Sequence, residues 1–268
     1  MGFKSKIRCL SDSLGLPKAG RRMRALGAAS VLLIGLTAVF SHAGGEITLL
    51  PKDQQEMGGL PKGWQALTFP KIPPTQYRLI HEGERSVIRA ESHQSASGMY
   101  RPLDLHPKEY TTLSWCWKID RVINKGDETK KGGDDYAARI YVTFKYDPSH
   151  ATFLERTKLG AIKMFHGEYP PKGALNYVWA GHLPIGKRFS NPYTDRAKMV
   201  VVESGNEKAT RWVCEERNLY DDYKQLFGEE PPILHGIAVM TDTDNTGDEA
   251  IAYYADLVLH AERKEENR

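Results

Sequence analysis

Residues 113–146, LSWCWKIDRVINKGDETKKGGDDYAARIYVTFKY, decide the fold of this chain. Two strand-like runs flank a loop rich in charge and glycine. In the first run the side chains alternate between two faces, because neighbours in a strand point to opposite sides of the sheet. One face is apolar, and the other carries polar groups and a thiol. The two faces consist of Leu113, Trp115, Trp117 and Ile119 and of Ser114, Cys116, Lys118 and Asp120.

The second run alternates in the same way, and the loop between the runs is strongly polar. The two faces of this run consist of Ile140, Val142 and Phe144 and of Arg139, Tyr141 and Thr143. The charged loop residues are Asp127, Glu128, Lys130, Lys131, Asp134 and Asp135. Such a loop is too polar to be buried without partners. We therefore expect a β scaffold that carries a polar site.

Similar short runs continue along the chain and predict about ten strands. They cover residues 64–69, 76–80, 87–91, 98–103, 111–119, 139–146, 175–180, 197–203, 210–215, 236–241 and 251–260. Helical patterns occur only at 149–166 and in LYDDYKQLF, which follows the N-cap candidate Asn218. The pattern predicts an all-β protein with one or two short helices, folded as an antiparallel β-sandwich of the jelly-roll kind.

The first 43 residues differ from the rest of the chain. Three arginines precede an apolar run at 25–40, and the small residues of SHA follow at 41–43. This order predicts a secretory signal peptide at 1–43. The apolar run is shorter than the roughly 20 residues that span a bilayer, which favours cleavage over a membrane anchor. We expect a periplasmic or secreted protein with a flexible N-terminal arm at 44–59 and one sandwich domain at 60–262.

The net charge of +3 includes this basic leader. Removing residues 1–43 takes away seven Lys or Arg and one Asp, which leaves 30 basic and 33 acidic residues and a net charge of −3. A mildly acidic domain argues against nucleic acid and anionic membranes as partners.

Cys116 and Cys214 remain as the cysteines of the mature chain. Both lie beside tryptophan in strand-like runs, so we expect them inside the sandwich on neighbouring strands. An even pair in an oxidising compartment is compatible with a disulfide. The apolar surroundings favour two buried free thiols instead.

The motif DTDNTGD, residues 242–248, has the alternating oxygen ligands and the glycine of a calcium loop. The EF-hand spacing requires a glutamate where Tyr253 stands, so that motif fails. Asp, Asn and Gly also form ordinary turns. We expect a structured turn in which Asp242, Asp244 and Asp248 bind calcium weakly at most, and no other cofactor.

Asp256 lies in AIAYYADLVL, on a face that is otherwise apolar. A carboxylate in that position has to be paired or bind a ligand. Lys118 and Arg139 are candidate partners, and Asp134 and Asp135 enter the strand of Arg139. These five residues are interpreted either as a buried ion-pair network, which is slightly favoured for Asp256, or as a ligand site.

Aromatic residues are the remaining candidates for binding. Trp115, Trp117 and Trp212 occupy alternating positions that favour the core. Tyr177 and Trp179, in ALNYVWA, remain open as a platform for a sugar ring. The chain has no GxSxG, HExxH, CxxC, GxGxxG or Walker A motif.

Several blocks together resemble the bacterial domain-of-unknown-function family 3047. They are AESHQSASGMYRPLDL, LSWCWKIDRV, KGGDDYAARIYVTF, ALNYVWA, RNLYDDYKQLFGEEPP and GIAVMTDTDNTGDEAIAYYADLVL, and the likeness covers roughly residues 60–260. The resemblance implies an exported bacterial β-sandwich related to galactose-binding-like jelly rolls. It implies no catalytic residues.

The sequence therefore favours an exported, non-catalytic module that binds a glycan or envelope polysaccharide. The predicted ligand contacts are Lys118, Asp134, Asp135, Arg139, Tyr141, Tyr177, Trp179 and Asp256. One alternative is a glycan hydrolase or lyase that uses paired carboxylates among Asp134, Asp135, Asp242 and Asp256. A second is a structural envelope protein whose charges only pair with one another.

Overall fold

The computed structural model describes residues 45–52, 56–57, 59–150 and 169–262. The strands are β1 (Glu46–Thr48), β2 (Glu56–Met57), β3 (Leu60–Pro61), β4 (Gln65–Thr68), β5 (Gln76–Glu82), β6 (Arg85–His93), β7 (Ala96–Leu105), β8 (Tyr110–Ile119), β9 (Ala138–Phe144), β10 (Gly173–Ala180), β11 (Arg188–Asn191), β12 (Thr194–Ser204), β13 (Val213–Asn218), β14 (Leu234–Asp242) and β15 (Glu249–Ala261). The helix α1 is Leu219–Phe227. The helix predicted at 149–166 lies outside the described residues from 151 onward.

The strands form two large sheets, which confirms the predicted β-sandwich. The six-stranded sheet has the order β13-β8-β15-β6-β5, with β1 also paired to β15. The seven-stranded sheet has the order β11-β12-β10-β9-β14-β7-β4. One pair departs from the predicted antiparallel arrangement: β10 and β12 are parallel, because β11 separates them in the chain and lies on the far side of β12.

The core lies between the sheets and is formed by the faces that the alternation predicted. Leu113, Trp115, Trp117 and Ile119 of β8 are buried there. The Trp115 and Trp117 rings meet edge to face with centroids 5.5 Å apart, and Trp115 lies 5.3 Å from the Tyr177 ring of the opposite sheet. Such contacts contribute beyond the apolar area that they bury.

The strands β9 and β14 are buried on both faces. Ile140, Val142 and Phe144 point into the core, while Arg139 on the opposite face of β9 has no exposed surface. β14, which contains the apolar run at 237–240, lies between β9 and β7. The outer face of the seven-stranded sheet is therefore unlike a solvated sheet surface.

The predicted arm at 44–59 is partly wrong, because its first described residues belong to the sandwich. Strand β1 pairs with β15 through Ile47 and Leu259. Leu49 and Leu50 are buried in the main core, and the Trp64 indole donates to the Leu49 carbonyl over 3.1 Å.

Cys116 and Cys214 lie on neighbouring strands, as predicted, but the expectation of free thiols is wrong. The two residues face each other across β8 and β13 and form a disulfide. Cys214 is exposed because β13 is the edge strand, so its apolar neighbours in sequence gave a false indication of burial.

The helix α1 begins and ends as the sequence indicates. The Asn218 side chain accepts a hydrogen bond from the Asp221 amide over 3.0 Å, and Gly228 ends the helix with a left-handed φ of 71°. None of the helices in the described part of the chain is long and apolar enough to cross a membrane.

Candidate functional site on the outer face of the seven-stranded sheet

The outer face of the seven-stranded sheet carries two neighbouring rows of side chains that run across its strands. In the first, which we call the Tyr141 row, each residue faces the next across paired strands. It consists of Tyr100, Ala238, Tyr141, Asn176, Met199 and Phe189. In the next row, Arg139 stands between Met240 and Val178. Aromatic rings, small residues and a few polar groups therefore share one surface.

Arg139 is the charge at the centre of this face. Its Nη2 donates to Asp242, and its Nη1 lies 3.8 Å from the Asp134 carboxylate. The guanidinium carbon lies 5.0 Å from the centre of the Tyr136 ring and 5.4 Å from that of Tyr141. Burial opposes the charge of Arg139, but Tyr141, Asp134 and Tyr136 outweigh it and raise the pKa of the guanidinium.

Four aspartates lie around this cation, where β9 begins and β14 ends. We call Arg139, Asp134, Asp135, Asp242 and Asp244 the Arg139 cluster. Asp134 and Asp135 lie a few residues before β9, and Asp242 ends β14, which is paired with β9. Strand pairing thus brings together two acidic segments that are about a hundred residues apart in sequence.

Asp135 holds the DTDNTGD loop in place. Its carboxylate accepts hydrogen bonds from the amides of Asn245, over 3.1 Å, and Thr246, over 2.7 Å. The Thr246 hydroxyl and the Asn245 side chain also donate to it, over 2.7 and 2.9 Å. Gly247 adopts a left-handed φ of 66° in this turn. The loop is a structured turn, as predicted.

The cluster also contains a candidate cation site. Asp135, Asp242 and Asp244 each place a carboxylate oxygen within 4.8 Å of the others. Asp248, which the motif included, instead pairs with Arg121 over 2.9 Å. The third carboxylate of the candidate cation site is therefore that of Asp135, and not that of Asp248 as the motif predicted. Calcium prefers such oxygen ligands, although Arg139 already supplies positive charge to Asp242.

Several buried polar atoms on this face have no hydrogen-bond partner in the described structure. They are Nε and Nη1 of Arg139, the hydroxyl of Tyr136 and Oδ1 of Asn176. Each such atom costs about 1–3 kcal/mol, so native proteins contain few of them. Nε1 of Trp115 and Nε1 of Trp117, in the core between the sheets, lack a partner in the same way. The four atoms on the outer face are candidates for contacts with a ligand bound there. Burial, followed by the charge of Asp134, raises the pKa of Tyr136, so its hydroxyl keeps its proton.

Lys118 and Asp256, both predicted as contacts, lie on the other sheet and do not join Arg139. Lys118 pairs with Glu82 over 3.2 Å, and its Nζ lies 4.3 Å from the Tyr253 ring centre. Asp256 pairs with Arg85 over 2.7 Å. A bulge in β15 between residues 255 and 258, with a φ of 51° at Asp256, interrupts the alternation and turns this carboxylate away from the core.

Three aromatic residues also lie elsewhere than expected. Tyr177 and Trp179 are buried in the core between the sheets, where the Tyr177 hydroxyl donates to Asp222 over 2.8 Å. Trp212, which was assigned to the core, is partly exposed, and the Arg85 guanidinium lies 4.7 Å from its ring. Asn176 is a candidate site residue that the sequence reasoning did not include. The alternation in ALNYVWA did place it opposite to Tyr177.

Glu215 on β13 is a carboxyl with a displaced pKa away from this face. Burial, followed by the charge of Glu203, raises its pKa to about 7, while Lys208 and Arg217 oppose the increase. Lys208 pairs with Glu203 over 2.6 Å. Glu215 therefore changes charge near neutral pH.

The architecture defines a β-sandwich with a polar, largely buried outer face. Comparison with solved structures finds several chains with a distant likeness to it. The chain resembles a variant of the family 29 carbohydrate-binding module complexed with cellulohexaose, at 8% identity and a TM-score of 0.34, over 82% of this chain and 93% of that one. It resembles the xyloglucanase domain of NopAA, a type three effector from Sinorhizobium fredii, in complex with cellobiose, at 10% identity and a TM-score of 0.39, over 82% and 99%. It also resembles the family 11 carbohydrate-binding module from Clostridium thermocellum, at 9% identity and a TM-score of 0.35, over 81% and 96%. These likenesses concern the fold alone.

Residues 62–258 match the family described as Protein of unknown function, DUF3047. The chain belongs to this family, as its sequence blocks indicated. No curated protein matches the chain.

Proposed function

We propose that this protein is a non-catalytic module that binds a glycan on the outer face of its seven-stranded sheet. The observation that carries the proposal is the set of buried polar atoms without partners at Arg139, Tyr136 and Asn176. A folded protein gains from burying such groups only if something else repays their lost hydration. A ligand that forms their hydrogen bonds is one such compensation.

The chemistry of these atoms fits sugar hydroxyls. Arg139 offers donors, Asn176 Oδ1 is an acceptor, and the Tyr136 hydroxyl is both. A sugar hydroxyl donates and accepts, so one class of ligand group satisfies all of them. The rings in the Tyr141 row supply apolar surface for the C–H faces of a sugar.

The parts of this face that keep exposed surface are Tyr141, Phe189 and, in the following loop, Asp244 and Asn245. Arg139 and Asn176 have none. A glycan therefore meets Tyr141 and the loop first, and its contact with Arg139 requires this face to open.

The carboxylates of the Arg139 cluster are held by hydrogen bonds within the protein, which argues against a catalytic role. A glycosidase needs one carboxyl that stays protonated and can be delivered to the glycosidic oxygen. Asp135 accepts hydrogen bonds from two amides, a hydroxyl and a side-chain amide, which commit its oxygens to the DTDNTGD turn. Asp242 is held by Arg139 and by the Tyr136 amide. The complete burial of Arg139 is the observation that fits a purely structural role instead, and the experiment below separates the two.

We further propose that the module is exported. The leader at 1–43 supports this, and so does the disulfide, since disulfides persist mainly in oxidising compartments. N-terminal sequencing of exported protein tests the proposal. A start near residue 44 is expected, and a start at one of the two methionines before the apolar run, Met1 or Met23, would contradict it.

The binding proposal is tested on a glycan array with the mature protein, followed by calorimetry on the glycans that bind. Tyr141→Ala should weaken binding about tenfold, which corresponds to about 1.4 kcal/mol. Tyr253→Ala is the matched control, because Tyr253 is also a partly exposed tyrosine but lies on the six-stranded sheet. Equal affinities of wild type and Tyr141→Ala, or no binding to any glycan, would support the structural role.

A further inference from the structure

We propose that the Cys116–Cys214 disulfide is a site of thiol–disulfide exchange, at which an external dithiol reduces the bond in the folded protein and loosens β13. The proposal is independent of the glycan site, which lies on the other sheet. It rests on the position of the two cysteines, on the exposure of one of them and on the small number of buried side chains that hold β13 in place.

The disulfide joins the edge strand of the six-stranded sheet to the strand inside it. β13 pairs with β8 and with no other strand in the described part of the chain. Cys214 and Cys116 lie directly opposite each other in this pair and are bonded. The bond therefore fastens a strand whose outer side meets no further strand of the sheet.

The two cysteines differ in their exposure to solvent. Cys214 is exposed, whereas Cys116 is buried, with 6% of its surface accessible. Exchange begins when a thiolate attacks one sulfur of a disulfide, and its rate depends on access to that sulfur. The attacked sulfur is therefore that of Cys214, and the leaving group is the Cys116 thiolate.

The reaction needs a dithiol as its reductant. A thiolate of the dithiol attacks the Cys214 sulfur, the S–S bond breaks, and Cys116 leaves as a thiolate that takes up a proton. The second thiol then attacks the reductant's own sulfur in the mixed disulfide, which oxidises the reductant to a disulfide and releases Cys214 as a thiol. Two electrons pass to the protein, and the two thiol protons of the reductant end on the two cysteines.

Few buried side chains hold β13 in place besides the disulfide. None of its six residues is buried, and partly buried side chains alternate with exposed ones. The side that faces the core carries Val213, Glu215 and Arg217, so two of these three side chains are charged. Segments with few buried apolar contacts open locally at a low cost in free energy. The disulfide is therefore a main constraint on the middle of this strand.

Both ends of β13 have further contacts. At the C-terminal end, Arg217 donates to Asp222 over 2.9 Å, and α1 follows directly with Leu219 in the core. At the N-terminal end, the Trp212 indole donates to Glu82 over 3.1 Å. Reduction therefore loosens the middle of the strand and leaves α1 and the two sheets folded.

Loosening of β13 uncovers the edge of β8. The backbone groups of β8 that pair with β13 lose their partners, and Val213 and Glu215 move away from their positions opposite Trp117 and Trp115. An unpaired strand edge is a template on which another strand can pair. The redox state of this one bond thus controls whether the edge of β8 is covered.

The test is amide hydrogen–deuterium exchange of the mature protein at neutral pH without denaturant, with and without dithiothreitol. Alkylation followed by mass spectrometry gives the extent of reduction, and circular dichroism shows that the sheets remain folded. We expect complete reduction and at least about tenfold faster exchange at residues 213–216. Residues 237–241 of β14, in the middle of the other sheet, are the internal control and should keep their exchange rates.

The double variant Cys116→Ser, Cys214→Ser is the matched control for the reductant. It should show the faster exchange at residues 213–216 in both conditions and no response to dithiothreitol. A disulfide that is reduced only in denaturant would overturn the proposal, because the Cys214 sulfur would then be inaccessible in the folded protein. Slow exchange at residues 213–216 after complete reduction would overturn it as well, and so would equally faster exchange in β14.

Discussion

Replacing Arg139 by alanine tests whether the buried cluster stabilises the fold. Arg139 is fully buried, with Asp242 as its hydrogen-bond partner and Asp134 at 3.8 Å. Its removal leaves two buried carboxylates without their cation. Breaking a buried pair by deleting one partner costs about 3–5 kcal/mol. For a domain of this size, 1 kcal/mol corresponds to about 2–4 °C in Tm, so Tm should fall by about 10 °C.

The assay is thermal unfolding of the mature protein, followed by circular dichroism at neutral pH. Arg78→Ala is the control, because Arg78 is an exposed arginine on β5. The double variant Arg139→Ala, Asp242→Asn should recover part of the loss, since it also removes one of the two negative charges that lie next to Arg139. An Arg139→Ala protein whose Tm lies within about 2 °C of that of the wild type would show that the cluster does not stabilise the fold by this amount.

Three further predictions concern other parts of the fold. The pKa of Glu215 is raised from 4.5 to about 7, so the folded state holds an extra proton between these pH values. The free energy of unfolding should therefore fall by about 1–2 kcal/mol as pH rises through this window, after allowance for partial exposure. Urea titrations at pH 5 and pH 8 should show this loss in the wild type and not in Glu215→Gln. Reduction of the Cys116–Cys214 disulfide opens a loop spanning 98 residues and should lower the free energy of unfolding by about 4–5 kcal/mol. A urea unfolding midpoint that is the same with and without reductant would contradict this. Asn218→Ala should cost about 1 kcal/mol through the lost helix cap, against no change for the exposed Glu216→Ala.

The sandwich could be predicted because its strands alternate over most of their length. Leu113 to Ile119 and Ile140 to Phe144 show their core faces directly in the sequence. Strand β11 was missed because RFSN is short, lies at an edge and lacks alternation. The parallel pairing of β10 with β12 depends on the path of the chain, which residue periodicity does not encode.

The candidate site was predicted in part, for a related reason. Alternation tells which residues share a face of one strand, but not which strands meet. Arg139, Asp134 and Asp135 are neighbours in sequence, so their association followed from the chain itself. Lys118 and Asp256 were predicted to join them because of the strand face on which each side chain was expected. The strand order of the sheets places both residues on the opposite sheet. The bulge at Asp256 has no sequence signal beyond a residue type that tolerates a positive φ.

The disulfide shows that neighbouring residue types are a poor guide to whether two cysteines are bonded. Two cysteines beside tryptophan look buried, yet the thiols point to the outer face, opposite to Trp115 and Trp117. The register of β8 with β13 places them directly across from each other, and that register depends on the whole sheet.

A crystal structure of the mature protein with a neutral oligosaccharide selected on the array tests the central claim most directly. The account predicts sugar hydroxyls about 2.7–3.2 Å from Arg139 Nε or Nη1 and from Asn176 Oδ1, with a sugar ring against Tyr141. A sugar bound instead beside Trp212 and Tyr253 on the six-stranded sheet, with the outer face of the seven-stranded sheet unchanged, would contradict it.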